Sequence, residues 1–415
     1  MSAGPDVLVV GAGIGGLTTA LTLHAAGLSC RVVEAVEQFG PVGVGINVLP
    51  HAAGVLGELG LEGTLSKHAV LTEESAFFTR FGQLAFREPA GRYAGFADPQ
   101  YSIHRADLHQ VLIDAVVERL GPQAVRSGLR VVRVDQDASR ATAHLEAPDG
   151  SASSTDADVV VAADGVSSAV RRQLFPGEGP PLYSGVTMWR GTSVWSPFLT
   201  GASMVRAGWL SHGKLVVYPV RDDVDGEGRQ LVNWVAEVEV PQRVDRDWTR
   251  RGRLEDVLPW FADWHFDWLD VPAMMSAADV VLEYPMVDQE PLPRWSHGRI
   301  TLLGDAAHPM VPRGSNGAGQ AILDAEALAR ALSRAPEDPV GALAAYDDLR
   351  RPATAQVVLT NRTSPPDAIL RVVHERSGDR PFDDVEDVVP RAELQGIADA
   401  YRSVVGVSPA GPLAH

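Results

Sequence analysis

Cysteine is nearly missing from this chain: Cys30 is the only one in 415 residues. An internal disulfide and a cysteine-built metal centre are thereby excluded. Lysine is almost as scarce, at Lys67 and Lys214 alone, so arginine carries the positive charge. A guanidinium suits flat, two-point recognition of carboxylate or phosphate, although a GC-rich genome gives the same bias. The 36 Lys and Arg are outnumbered by 53 Asp and Glu, for a formal net charge of −17. Such a surface disfavours nucleic acid as a partner and favours solubility. No run of about twenty apolar residues is available to span a membrane. The N-terminus carries neither a basic start nor a small-residue cleavage site, so no secretory signal and a cytoplasmic location are expected. There is no G-x-S-x-G run, which removes the hydrolase nucleophile elbow, and no internal repeat.

What is present is a globular composition, 45% hydrophobic and 21% charged, punctuated by 40 glycines and 29 prolines. A chain this long exceeds one ordinary core, so two domains or one large elaborated domain are expected. Residues 6–10 read as a buried strand, 11–16 as a glycine-rich turn, 17–26 as a helix and 29–34 as a second strand. That is the length of one βαβ unit. Residues 40–50 read as irregular and 52–59 as helical. Residues 108–120 place Leu108, Leu112, Ala115 and Val116 near one helical face. Residues 129–134 and 141–145 alternate like a hairpin, and 158–163 and 299–303 read as further buried strands. Between residues 186 and 285 alternation dominates, at 186–192, 215–220, 231–240 and 280–285, and most of the tryptophans gather there. One helical insert is expected over 254–268. Later helices are expected at 318–332 and 340–361, with another at 391–404 in a more polar tail.

The fold class that follows is α/β: a Rossmann-like cofactor domain, a β-sheet domain that covers it, and C-terminal helices. The first is assigned residues 1–70, 100–182 and 286–362, the second 71–99 and 183–285, and the tail 363–415.

Three constellations carry chemistry. The first is Gly11-Ala12-Gly13-Ile14-Gly15-Gly16, between a strand and a helix. Gly11 permits the tight turn, Gly13 the approach of a pyrophosphate, and Gly16 close helix packing, while the helix N-terminus offers free N–H groups. Glu34 ends the second strand, where a carboxylate accepts the ribose hydroxyls of an adenosine and repels a 2′-phosphate. This much leaves NAD and FAD both open. The second constellation begins at Asp164-Gly165, delivered by a buried strand, with Ser167 or Ser168 capping the helix that follows. The third is Gly304-Asp305-Ala306-Ala307-His308-Pro309, followed by a glycine-rich approach, residues 314–319, to a strong helix. Asp305 stands at the carboxyl end of a strand, where α/β sheets place their ligands. The N–H groups at Asn316, Gly317 and Ala318 suit a developing negative charge.

In this order and at this spacing the three segments resemble the single-component (group A) FAD-dependent aromatic monooxygenases of the para-hydroxybenzoate hydroxylase type. The resemblance spans residues 5–365. Within that family, the runs Tyr101-Ser102-Ile103-His104-Arg105, Thr187-Met188-Trp189-Arg190-Gly191 and Tyr284-Pro285-Met286-Val287-Asp288, with residues 254–264, are most similar to the phenazine-carboxylate hydroxylase of the pyocyanin pathway.

The resemblance implies a tightly but non-covalently bound FAD. It implies NADH or NADPH and O2 as co-substrates, and oxygen transfer from a C4a-hydroperoxyflavin to a small, carboxylated aromatic, in secondary metabolism or aromatic catabolism. No nicotinamide domain of its own is expected, because there is no second GxGxxG. Carried over residue by residue, Gly11, Gly13, Ile14, Gly15 and Gly16 cradle the pyrophosphate, and Glu34 with Ala35 meets the adenosine ribose. Val132 offers its backbone to the adenine. Arg105 reaches the ribityl and pyrophosphate region, Asp164 serves FAD and the reductant, and Asp305 holds the ribityl chain. Val44 and Gly45 line the isoalloxazine, and Pro309 lies beside it. For the substrate the candidates are Trp189, Arg190, Arg206, Tyr218, Pro309 and Arg313. Trp189 and Arg190 face opposite ways along a strand, and solvent exposure is the simpler expectation for Arg190 and Arg206.

No protein nucleophile is required, and His308 reads as structural. Asp263, His265 and Asp267 do not share a helical face, so no metal is expected. A flavin-dependent halogenase or reductase on the same fold is the alternative, without the WxWxIP run of the halogenases. An NAD-dependent dehydrogenase does not account for the late GD segment. A flavin-binding regulator without activity is the other reading. A monomer or a homodimer is expected.

Overall fold

The computed structural model describes residues 6–38, 40, 43–240 and 251–406. Short runs that are apolar at nearly every position build the first sheet. From one edge its strands are Ser296–His297, Ile300–Leu302, Val159–Ala162, Val7–Val10, Cys30–Val33 and Val125–Arg126. All pairings are parallel except the edge hairpin of Ser296–His297 with Ile300–Leu302. A parallel strand covered on both faces has no solvated side, and Val7–Val10 and Val159–Ala162 are buried at every residue. Helices Ile14–Ala25, Arg105–Leu120 and Gly317–Arg334 cover this sheet, with Leu17, Leu112, Ile322 and Leu328 in one core with its valines. Because the strands Val7–Val10, Val159–Ala162 and Ile300–Leu302 are parallel neighbours, their carboxyl ends emerge side by side. The three candidate segments are brought together by that topology.

The second sheet has seven strands, ordered Ala278–Asp288, Leu182–Trp195, Gln230–Glu239, Lys214–Arg221, Ser203–Gly208, Glu74–Phe78 and Leu84–Pro89. Its two faces differ sharply. One carries Trp189, Val217, Trp234 and Val205 against Phe261 and Trp264. On the other, the register aligns Arg190, Val235, Val216, Arg206 and Phe77 in one row across five strands.

Several elements depart from the sequence expectation. Residues 254–268 do not form one helix. Leu254–Val257 is helical and Leu258–Phe261 a tighter turn, after which His265–Phe266 and Leu269–Asp270 pair as a small hairpin. Pro259 has no N–H to continue an α-helical ladder. The irregular stretch 40–50 holds a strand, Gly45–Val48, paired with Tyr101–His104; Pro41 and Val42 lie outside the described residues. The hairpin of Arg130–Gln136 and Ala141–Glu146 gains a third strand, Ala152–Ala157, whose sequence ASSTDA has no apolar alternation to reveal it. The tail holds a helix at Ala368–Ser377 before the helix Arg391–Val405. Among the described residues no helix is long and apolar enough to cross a membrane.

One buried base follows from this packing. His51, in the helix Pro50–Glu58, lies against Gly319, and neither ring nitrogen has a protein partner. Burial first, and Arg350 second, push its pKa from 6.5 down to about 4. The folded state keeps it neutral while the unfolded chain takes up a proton near pH 6.5. The associated stability is therefore present above pH 6.5 and is lost as pH falls toward 4. Between pH 7 and pH 5 this residue should remove about 2 kcal/mol from the unfolding free energy. Urea melts of wild type and His51→Leu at the two pH values measure the difference, and an unchanged pH dependence in the variant refutes it.

Candidate functional site

The first segment is shaped by what a side chain would meet. Gly11 has φ +99°, and a Cβ there would lie 2.5 Å from the carbonyl oxygen of Ala163. The turn is thus clamped to the end of the neighbouring strand. The helix Ile14–Ala25 starts at Gly13 without a side-chain cap, and nothing stands within 4 Å of the place a Gly13 Cβ would occupy. Its first N–H groups therefore face open space. Gly15 packs on Leu303 and Ala321, which ties this turn to the third segment. Glu34 accepts from the Ala12 N–H at 2.7 Å and the Val36 N–H at 2.8 Å. Its carboxylate sits beside the glycine turn, with lone pairs left for further donors, and Ala35 is half-buried next to it. Val132 sits at the register shift of the three-stranded sheet with its side chain 45% exposed. The segment that touches Glu34 comes earlier: the Leu129 N–H donates to the Glu34 carbonyl, and the Glu34 N–H to that of Arg126.

In the second segment Ser168, not Ser167, caps the helix Ala169–Leu174, accepting from the Arg171 N–H. Asp164 accepts from the Ala169 N–H at 2.9 Å through one oxygen, while the other, Oδ1, is buried with no protein partner. Burial holds this carboxyl above the ordinary range against the hydrogen bonds that oppose it. Arg171, 3% exposed, reaches the third segment and donates to the carbonyls of Ala306 and Ala307, both at 2.9 Å. Glu178 neutralises it.

The third segment turns at Gly304 and leaves the Asp305 carboxylate exposed, facing Gly317 at the start of the helix Gly317–Arg334. Behind the turn is a buried charge cluster. Asp324 accepts from His308 Nε2 at 2.6 Å, from Arg350 Nε at 2.8 Å and from the Gly304 N–H at 3.2 Å. His308, 4% exposed, is thus held as a structural group, and Pro309 follows it into the interior. The helix Gly317–Arg334 begins at Asn316 without a side-chain cap, and Gly317 and Ala318 are half-buried.

Above these turns lies the inner face of the seven-stranded sheet. Gly45 donates to Asn233 Oδ1 at 2.7 Å and accepts from Arg190 Nη2 at 2.7 Å. The Arg105 N–H donates to the Val44 carbonyl, and Val44 is buried. Strand parity is resolved by the packing: Trp189 belongs to the opposite, tryptophan-rich core, and Arg190 faces inward. Trp189 is a core residue and not a wall of the site. Arg190 and Arg206 are not solvated side chains either. Arg206 is 6% exposed, donates to Ser75 Oγ at 2.8 Å and pairs with Asp367 at 3.2 Å. Tyr218, 4% exposed, stands between the two arginines, and burial keeps its hydroxyl protonated although both oppose the effect. Lys214, one of the two lysines, is buried between Glu237 at 3.0 Å and Asp367.

Sequence reasoning missed Asp367, Glu237 and Lys214. For Lys214 and Glu237 the only signal is an ionisable residue at an inward strand position, and their partner Asp367, at the start of the helix Ala368–Ser377, is 153 residues from Lys214. Arg206, Met204, Phe77, Leu49 and Gly314 line a cleft that is open to solvent. Arg313 lines a second cleft with Tyr183 and Arg362, and its charge also acts on Asp367, the partner of Arg206.

Comparison with known proteins agrees with this arrangement. The FAD binding domain family matches residues 5–197 and 284–361. The phenazine 1,6-dicarboxylic acid hydroxylase PhzS of Lysobacter antibioticus is 44% identical over 406 residues, 96% of this chain and 97% of that protein. The 3-hydroxybenzoate 6-hydroxylase of Klebsiella oxytoca is 31% identical over 373 residues, 86% of each. Among solved structures, Klebsiella pneumoniae HpxO complexed with FAD and uric acid has a TM-score of 0.77 at 24% identity, covering 98% of both chains. A salicylate hydroxylase substrate complex has a TM-score of 0.73 at 24% identity, covering 98% and 96%.

Proposed function

Since the chain belongs to the FAD-binding family of flavin-dependent aromatic hydroxylases, we propose that its own substrate is a fused-ring aromatic carboxylate of the phenazine type, hydroxylated at the expense of NAD(P)H and O2. The reaction balances as ring C–H, O2, NAD(P)H and a proton giving ring C–OH, water and NAD(P)+. The bound flavin supplies the activation of O2.

The residues present fit that cofactor. A buried, unpartnered Asp164 Oδ1 and an uncapped helix start at Gly13 are unmet needs of the protein by itself. A ligand with hydroxyl donors and a pyrophosphate meets both. The N–H groups from Gly13 to Gly16 hold the pyrophosphate, Glu34 the adenosine ribose, and Asp305 with Asp164 the polyol. Val44, Gly45, Pro309 and the helix start at Gly317 would line the ring and exclude water.

The substrate class rests on one observation. Around Tyr218 the inner face gathers three cations, half-buried Arg190 with buried Arg206 and Lys214, but two carboxylates, Glu237 and Asp367. Arg190 has a buried, unpartnered Nε and no carboxylate of its own, because Glu237 is taken by Lys214. A surplus buried cation is costly until an anion joins it. Within this cation-rich cluster Arg206 is the member that also lines the cleft with Met204 and Phe77, which supports it as the one that meets a substrate carboxylate, with Tyr218 beside it against the ring.

The test is NADH or NADPH oxidation by the FAD-loaded enzyme with phenazine-1-carboxylate, phenazine-1,6-dicarboxylate, 3-hydroxybenzoate, salicylate and unsubstituted phenazine. Phenazine carboxylates should accelerate it most and yield a product heavier by one oxygen. Equal or greater stimulation by unsubstituted phenazine would refute the anionic site. Stimulation by the benzoates alone would refute the fused ring.

A further inference from the structure

The loop between Pro309 and the helix Gly317–Arg334 is held at both ends by one chain of side-chain hydrogen bonds. Its direction is fixed by its first acceptor. The carbonyl of Val311 can only accept, and Asn361 Nδ2 donates to it at 3.3 Å. Asn361 must therefore turn its Oδ1 the other way, toward the Tyr401 hydroxyl at 2.8 Å, so Tyr401 donates there. Having spent its proton, the Tyr401 oxygen accepts from Asn316 Nδ2 at 2.9 Å. The second hydrogen of that amide goes to the Gly314 carbonyl at 3.2 Å. Both Nδ2 hydrogens of Asn316 are now committed, and the orientation of its amide follows. Its Oδ1 points away from the chain; it is buried in a residue 1% exposed, and no protein donor meets it. Gly314 closes against the Tyr401 ring so tightly that a Cβ at that position would collide with the hydroxyl.

We propose that Tyr401 is a positioning residue for the cofactor: through Asn361 and Asn316 it turns the Asn316 carbonyl oxygen toward a hydrogen-bond donor of the bound flavin. Tyr401 belongs to the helix Arg391–Val405, beyond the family match that ends at residue 361. The tail thus completes the cofactor site without touching the cofactor. Oxidised flavin offers two kinds of donor, the ring N3–H and the ribityl hydroxyls. An acceptor left without either would be a buried polar group unsatisfied at a cost. The inference rests on placing Asn316 at the flavin.

The experiment measures FAD affinity for apoprotein by quenching of flavin fluorescence, in wild type, Tyr401→Phe, Asn316→Ala and the double variant. Tyr401→Phe keeps the ring and removes the hydroxyl that joins the two amides, and thermal melts of the apoproteins record its cost to folding separately from its effect on FAD. Its FAD Kd should rise about tenfold, as loss of one buried hydrogen bond gives. Asn316→Ala should show a similar rise, and the double variant should be no weaker than Asn316→Ala alone, the signature of two residues acting through one contact. An unchanged Kd in Tyr401→Phe, or a double variant whose loss is the product of the two single losses, would overturn the proposal. Repeating the series with N3-methylated FAD separates the donors: Tyr401 dependence that disappears assigns the ring N3–H, and dependence that persists assigns the ribityl chain. Failure of wild-type apoprotein to take up FAD would instead refute the placement of the flavin itself.

Discussion

Arg206→Met is expected to lower kcat/KM for a carboxylated phenazine by about a hundred- to a thousandfold, the range that follows from truncating one partner of a buried charge pair. The fall should be confined to anionic substrates, and the slower, unstimulated oxidation of NAD(P)H should persist. Arg206→Lys is the informative companion. It keeps a cation beside Asp367 but loses the planar fork that serves Ser75, Asp367 and a ligand at once. It should therefore retain most of the stability and little of the discrimination between carboxylated and neutral rings. Equal losses on both kinds of ring, measured as the ratio of their kcat/KM values, would remove Arg206 from carboxylate recognition.

Asp324→Asn should cost about 3–5 kcal/mol of folding free energy. Burial alone would raise the Asp324 pKa, but His308 and Arg350 outweigh it and hold the carboxyl below its ordinary 3.8. A depressed acid of this kind contributes stability above its unfolded pKa and loses it as pH falls through the folded value. At neutral pH the full contribution is present. The amide side chain has the same shape but leaves Arg350 with no anion, and its NH2 group turns a donor toward one of the donors the carboxylate served. Because the same carboxylate also accepts from the Gly304 N–H at the turn of the third segment, retention of FAD should fall together with the urea midpoint. A variant that melts as the wild type does would show that Arg350 needs no counter-charge here.

How much of this was legible in the sequence depends on how local each signal was. The strands at Val7–Val10, Val159–Ala162 and Ile300–Leu302 are apolar throughout and end in glycine turns, so strand, turn and candidate site were read together. The alternation at Trp189 and Arg190 showed that one of them faces inward, but choosing between them required the partner core of Phe261 and Trp264. The buried charges were illegible for a stronger reason. Lys214, Arg206 and Asp367 resemble solvated residues until three distant parts of the chain are packed together. The strand Gly45–Val48 was hidden in a Gly- and Val-rich stretch, and its nature is set by the partner Tyr101–His104. Tyr401 lies in a tail whose polarity concealed its single inward-facing hydroxyl.

The clasp from Arg171 to the carbonyls of Ala306 and Ala307 has a bearing on how the protein is made. The glycine turn leaves the ribosome first, but the strand next to its neighbour, Ile300–Leu302, is synthesised nearly 300 residues later. At ordinary elongation rates of about 5–20 residues per second, roughly 15–60 seconds separate the two events. During that interval the valines of the first strand have only part of their sheet. The site built from all three segments is therefore complete only once synthesis has passed the clasp at Ala307.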